Sequence, residues 1–402
     1  MHRVKARGIA IVALLLLTLA GCGEDDAQAV EVVAGGGPGT SGTATEARLD
    51  GRLIAMVNGG DDVLRVLTMI DQQLMLWTVK NGQLAHTEVK NVFEAKYISQ
   101  ASVGPDNNIY VSIWNGDGGI FRIDADGSSR RVLGGREATG EATDGSAANK
   151  ARVPQAGSVG FGTNGQLLYT EDLEVNFPQL RTVVGGKLKT LAGSSKTSQY
   201  TSERGFPDGT RATAVQLDSP FNNAIAAGGD GNIFVATGSS AIVVRPDGTA
   251  RKVIGVKDYR RIPEARKPFA DRGQAADLRL YLYETRSPRG SSSIPRSTPS
   301  MVADQAGDLY LVNRASGLDD LPESFNWTGD VSDAQRTLLQ ASKRQRTEQT
   351  EVLRIKPNGS AATVAAHADA VAVDANWIYL ARQFDDPAGT GERVIIVKTE
   401  KR

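Results

Sequence analysis

Few residues of this chain have the types and spacing that chemistry needs. Histidine, the usual proton carrier near neutral pH, occurs three times in 402 residues, as His2, His86 and His367. These are too few and too scattered for a three-histidine metal site. His86 reads as a surface residue of an outer strand. His367 precedes a first strand, where it could act as a base or ligand. Carboxylates offer more: Glu171, Asp172 and Glu174 follow one strand, Asp369 enters another, and Asn222 and Asn223 enter a third. Hard divalent cations take such oxygen ligands, although the same residue types are ordinary turn formers. No G-x-S-x-G, Walker-type loop, H-E-x-x-H or paired C-x-x-C occurs. No cofactor is expected, a divalent cation on those carboxylates being the one exception the chemistry admits.

The single cysteine, Cys22, is the sharpest chemical signal. His2, Arg3, Lys5 and Arg7 form a charged start, Ile9 to Leu19 an apolar run, and Leu19-Ala20-Gly21-Cys22 closes it. The run is too short for a comfortable membrane span and has the flanks of a secretory signal. Leu-Ala-Gly-Cys resembles the bacterial lipobox, which implies cleavage after residue 21 and lipidation of Cys22. Residues 1–21 are then a signal peptide, 22–28 a lipidated tether, and 29–402 the folded domain. Several acyl chains on one residue give a stable anchor where one chain would not. The expected location is therefore the outer surface of the cell membrane, with the membrane itself a partner. No thiol would remain for catalysis.

Composition narrows the partners further. Lysine plus arginine equal aspartate plus glutamate at 46 each, and removal of Arg3, Lys5 and Arg7 leaves 43 against 46. So even a balance gives no electrostatic case for nucleic acid. The chain has 44 glycines, and 40% of its residues are hydrophobic but only 6% aromatic, which suits one large all-β domain.

Such a domain is written out in repeats. Asn223 to Gly255 reads as four short strands, with Gly229-Asp230-Gly231 and Pro246-Asp247-Gly248 as tight turns. Related units occur at 53–90, 104–133, 162–191, 306–364 (interrupted) and 375–397, which makes six. A lone four-strand meander cannot bury its faces, so six of them must pack on one another. Between units an alanine-rich link recurs, as Ala44–Leu49, Ala148–Val153, Ala212–Leu217 and more loosely Ala275–Leu280. Strands ending Val33-Ala34-Gly35 and Leu191-Ala192-Gly193 precede two of these links.

With these motifs the chain resembles the NHL-type β-propeller repeat over nearly all of 29–402. The resemblance implies an all-β, six-bladed propeller of four-stranded antiparallel blades. Residues 29–35 form a last strand with no blade of their own, while the final unit lacks a fourth strand. The N-terminal strand should therefore complete the C-terminal blade and close the ring, removing two exposed edges. Such motifs speak for fold and leave activity open. Histidine-dependent propeller lyases and sugar dehydrogenases are poorly matched by two histidines. A gluconolactonase-like, metal-dependent hydrolase or lyase is the alternative enzymatic reading.

Loop lengths point towards a functional face. Turns between first and second strands, and between third and fourth, are tight and share one face. The insertions 134–154, 193–220, 256–299 and 314–350 all fall on the other face, where elaborated loops commonly bind. A helix is expected near 332–347, where Ser332 and Gln335 suit a capping box and Asp333 the helix dipole. It reads as a lid held by Leu338 and Leu339, or as a docking helix. The ligand-binding candidates are Trp114, Asn115, Glu171, Asp172, Asn222, Asn223, Arg314, His367, Asp369 and Arg382. The expected function is non-catalytic: a binding or scaffold protein for a protein, peptide, glycan or small ligand.

Overall fold

The computed structural model describes residues 30–60, 62–91, 98–114, 118–134, 138–140, 142–153, 155–172, 177–202, 205–217, 223–237, 240–255, 271–275, 278, 300–315, 349–366, 368–386 and 391–401. Within them six small antiparallel sheets form a six-bladed β-propeller. β1 (Glu31–Ala34) and β2 (Gly42–Thr43) come before blade 1, which is β3 (Arg52–Asn58), β4 (Val63–Ile70), β5 (Gln73–Lys80) and β6 (Gln83–Glu88). Blade 2 is β7 (Ile98–Val103), β8 (Ile109–Ile113), β9 (Gly119–Ile123) and β10 (Ser129–Leu133). Blade 3 is β11 (Ala156–Phe161), β12 (Leu167–Asp172), β13 (Pro178–Val184) and β14 (Lys187–Ala192). After β15 (Thr210–Arg211), blade 4 is β16 (Asn223–Ala227), β17 (Ile233–Thr237), β18 (Ser240–Val244) and β19 (Thr249–Ile254). After β20 (Asp271–Gln274), blade 5 is β21 (Met301–Ala303), β22 (Leu309–Ala315), β23 (Gln349–Ile355) and β24 (Ser360–Ala366). Blade 6 is β25 (Ala370–Val373), β26 (Trp377–Asp385) and β27 (Glu392–Glu400), with β1 as its fourth strand. The expected helix near 332–347 lies outside the described residues.

Local chemistry explains the repeated hairpins. Asp or Asn carboxyl and amide oxygens accept the N–H two residues on at Asp106, Asp126, Asn164, Asp230, Asp247, Asp304, Asn358 and Asp374. Such side-chain turns reverse the backbone without leaving its donors unmet. The strands between them carry apolar residues on both faces, because each blade is packed on two neighbours. β17 and β18 are buried along their whole length.

The outer edges are closed by the arriving chain. The N–H of Ala44, Lys90, Ala148, Ala212 and Ala275 donates to the carbonyl of Gly82, Gly127, Gly186, Gly248 and Gly359, each a glycine of the next blade's third turn. In the alanine-rich links the first alanine and two later apolar residues are buried, as Ala44, Ala47 and Leu49, or Ala212, Val215 and Leu217. Blades 1, 4 and 5 accordingly gain a fifth strand from β2, β15 and β20, beyond the four expected. These strands are two, two and four residues long, too short to leave a pattern in the sequence.

β1 closes the ring. Glu31 pairs with Lys398, Val32 with Val397 and Ala34 with Ile396, with a register shift between Val32 and Ala34. The fourth strands of blades 2 to 5 carry the same shift. Gly35 follows at φ 82°, where a Cβ would stand 2.4 Å from the Val394 carbonyl oxygen. Gly193, after β14, is bound in the same way at φ 98° with 2.5 Å to the Pro178 carbonyl oxygen. Hence the Val-Ala-Gly and Leu-Ala-Gly endings. A partly buried ionic cluster locks the far end of β1: Arg48 binds Asp50 and Asp386, and the Arg393 guanidinium donates to the Gly37 carbonyl at 2.8 Å. Burial, then the neighbouring Arg48 charge, lowers the Arg393 pKa, with Asp386 and Asp50 opposing. Deleting residues 30–35 should cost about 3 kcal/mol or more, since it strips the buried Val30 and Ala34 and bares an edge. Urea denaturation of the truncated chain checks this; an unchanged midpoint would mean the ring closes without β1.

Candidate functional site

The first strands β3, β7, β11, β16, β21 and β25 touch in that order, and β25 returns to β3. They enclose a cavity of about 290 Å³ on the propeller axis. Its walls are mostly small and apolar, among them Ala101, Phe161, Ala226, Val302 and Val371. Among the described residues, Asn58, Gln100, Ser102 and Ser300 are the side chains with polar atoms in that lining, and no described carboxylate, imidazole or lysine is in it.

These polar groups mostly stitch the inner edges together. Gln100 lies on β7, yet its amide spans blade 3 to reach blade 4. Its Nε2 donates to the Ile225 carbonyl at 3.0 Å, and its Oε1 accepts the Ile225 N–H at 3.1 Å. The side chain thus imitates a strand partner. Gly160 on the intervening β11 leaves room, since a Cβ there would meet Ile225 Cγ2 at 3.1 Å. Asn58 donates to the Val373 carbonyl at 3.0 Å. Ser300 Oγ accepts the Val371 N–H at 2.9 Å and donates to its carbonyl at 3.2 Å. Gln383 joins the last blade to the first by accepting the Leu53 N–H at 2.7 Å.

The same contacts fix which way the cavity opens. Gln100 and Ile225 are only 3% and 2% exposed, whereas Val57, Val103, Phe161, Ala227 and Ala303, nearer the ends of their strands, are partly exposed. The cavity is therefore floored by the Gln100–Ile225 crossing and opens at the face of the tight turns. The tight turns leave this mouth uncovered. The loop-rich face to which the sequence pointed carries the insertions 256–270, 279–299 and 316–348, which lie outside the described residues.

Carboxylates stand in the tight turns of this face. Asp106 accepts from Tyr110 Oη at 3.1 Å and pairs with Arg122 at 3.2 Å. Burial would raise its pKa, but hydrogen bonds from Asn108 and Tyr110 and the Arg122 charge outweigh burial and hold it below the ordinary value. Asp374 accepts from Tyr379 Oη at 2.8 Å, and burial followed by that bond pushes the Tyr379 pKa up. Lys401 Nζ holds Asp304 at 2.9 Å.

The sequence candidates do not gather at this cavity. Glu171 lies within β12 and not in a loop after it; it is 1% exposed and pairs with Arg181 at 3.2 Å. Arg181 also binds Asp144 at 3.0 Å, and Asp144 in turn accepts the Thr190 N–H at 2.9 Å. Pairing offsets the burial of the Glu171 and Arg181 charges in the low-dielectric interior, while Asp144 is exposed. Asp172 ends β12 opposite Pro178, Asn223 opens β16 opposite Thr237, and Arg314 stands in β22 opposite Thr350. Asp369 accepts the Gln383 N–H at 2.8 Å beside the buried Arg382. Trp114 follows β8 and is partly buried. Of the described side chains among these, Trp114, Glu171, Asp369 and Arg382 are not in the described lining of the cavity. Cys22, Asn115, Glu174, Asn222 and His367 lie outside the described residues. His86 is exposed on β6, with its ring 4.8 Å from Trp77. Among the described residues no three His, Cys, Asp or Glu side chains are placed to hold a metal. Gln100 and Ser300 were missed by sequence reasoning, because amides and hydroxyls inside apolar strands carry no local motif.

No protein-family model matches the chain, and no curated protein matches it. Solved structures do resemble it in fold. A protein of unknown function from Bacteroides thetaiotaomicron aligns at 14% identity with TM-score 0.49, over 92% of this chain and 76% of that one. An auxiliary nutrient binding protein from Bacteroides ovatus aligns at 13% and 0.47, over 93% and 76%. A gluconolactonase from Xanthomonas campestris aligns at 10% and 0.44, over 88% of each chain. Likeness at this level assigns no activity to this chain.

Two outcomes test the site geometry. Gln100→Leu should cost about 1–3 kcal/mol in urea denaturation, by stranding the Ile225 N–H and carbonyl. Asp106, with its depressed folded pKa, contributes stability that is present above about pH 4 and lost as pH falls through the folded value. Asp106→Asn should therefore flatten part of the acid limb of stability against pH, and an unaltered limb would show that Asp106 contributes nothing to it.

Proposed function

We propose that this chain is a lipid-anchored envelope protein that binds a small, largely apolar ligand in its axial cavity without transforming it. Residues 1–21 act as the signal peptide, 22–28 as the tether from a lipidated Cys22, and 29–402 as an NHL-type propeller on the outer face of the cell membrane. The observation that carries the binding reading is the cavity wall. Apolar surface recruits an apolar ligand, and a few amides and hydroxyls orient it. General acid–base or metal chemistry requires titratable or anionic groups facing the ligand. The described lining supplies none.

Saturable binding of a neutral apolar dye such as Nile red tests this, with Ala227→Trp as the occluding variant. One equivalent should bind to the parent chain, and affinity should fall at least about tenfold in the variant, near 1.4 kcal/mol. Turnover of a lactone panel that rises with added Mg²⁺, Ca²⁺ or Zn²⁺ would sink the reading in favour of a metal-dependent hydrolase. Metabolic labelling with palmitate, lost in Cys22→Ser, tests the anchor separately.

A further inference from the structure

The polarity of β1 determines which face of the propeller the anchor holds. β27 runs from the loop-rich face, where Asp386 and Arg393 sit, to the tight-turn face, where Glu400 pairs with Trp377. β1 is antiparallel to it, so Glu31 enters beside Lys398 at the tight-turn end. Glu31 is 3.0 Å from Lys398 Nζ, and that ammonium lies 4.2 Å from the centre of the Trp377 ring. Val30, just before it, is 1% exposed and packs with Tyr310, Val312 and Val371 between blades 5 and 6. The chain towards Cys22 therefore leaves from the same face on which the cavity opens.

The reach of that chain is bounded in any conformation. Eight steps from Val30 back to Cys22 span at most roughly 29 Å at about 3.6 Å each. β27, whose nine residues make eight steps, is about 27 Å long by the usual strand rise. Even fully extended the tether only matches the height of a blade, so it reaches the bilayer with slack only from the tight-turn face, and that face is the one held next to the membrane.

We propose that the axial cavity opens towards the membrane and takes a single-chain zwitterionic amphiphile from the leaflet surface. This rests on the lipid anchor proposed above. Its apolar chain would lie against Ala101, Ala226 and Val302, down to the Gln100–Ile225 floor. A volume of about 290 Å³, just under the usual range for ligand pockets, takes the end of one chain and excludes a second. The head would sit at the tight turns, where Asp106 pairs with Arg122 and Asp304 with Lys401, so that both signs of charge are at hand for a zwitterion.

Full-length protein isolated from a bacterial membrane and placed in phosphatidylcholine vesicles provides the test. With Cys22 acylated, an introduced cysteine is the only free thiol. Lys356→Cys labels an exposed tight turn, and Gln72→Cys labels an exposed turn of the loop-rich face. Nitroxide-bearing lipid should quench a fluorophore at position 356 at least threefold more than one at 72. Lysophosphatidylcholine should bind the soluble Cys22→Ser chain, with at least tenfold loss in Ser102→Trp and in Ser102→Phe, and lysophosphatidylglycerol should bind more weakly. An unacylated Cys22 overturns the anchor and this proposal together. Acylation with equal or reversed quenching overturns the orientation alone. Correct orientation with no lysophosphatidylcholine binding, with unchanged binding in both Ser102 variants, or with tighter binding of the anionic lipid, overturns the ligand.

Discussion

The structure depends on one recurring constraint: no blade can satisfy its own outer edge. In five blades an N–H of the arriving link, from Ala44, Lys90, Ala148, Ala212 or Ala275, reaches the carbonyl of a turn glycine, and in three of them a short fifth strand adds to it. In the sixth, β1 supplies a whole strand. A bared edge is both unstable and prone to pair with other chains, so each blade is completed by residues belonging to the sequence before it. This explains why the links are alanine-rich. A larger side chain at Ala44, Ala212 or Ala275, each fully buried, would push the link off the edge it closes.

The inner edges meet the same demand by a different device. Facing a narrow axis, the first strands have no further strand to pair with, and side chains of Asn58, Gln100 and Ser300 take that place. The cavity is what remains where small residues are left unstitched. Its apolar walls and its floor thus have one origin, and the site is a by-product of how the ring holds itself together. The ionic groups are spent elsewhere. Glu171 with Arg181 braces blade 3, and Arg48 with Asp386 braces the closure.

Much of this was legible in the residues. Asp-Gly and Asn-Gly turns marked the hairpins, and Ala34-Gly35 announced a last strand displaced to the start of the chain. Both signals are local, because a positive φ or a side-chain turn is set by one or two residues. The candidate site was far less legible. Gln100 and Ile225 are 125 positions apart, and nothing near either marks the bond. Glu171 looked like a mouth carboxylate until the register of β12 against β13 set it beside Arg181. Loop lengths pointed to one face, while the cavity depends on the bulk of inner-strand residues and opens on the other. The short fifth strands β2 and β15 escaped for a simpler reason, since two residues cannot show a period.

Ring closure also sets an order in time. Glu31 is among the first residues of the folded domain to be synthesised, yet its partner Lys398 is among the last. Five blades can collapse on local hairpins while β1 waits. Contacts of such sequence separation form slowly, because the entropy of closing the loop is lost before any pairing is gained. Until β27 emerges, blade 6 consists of the β25–β26 hairpin alone, and β1 has no strand to pair with. The nascent chain must therefore pass through a state with two open flanks, and the surface of Tyr310 and Val312 that later covers Val30 is exposed in the interval.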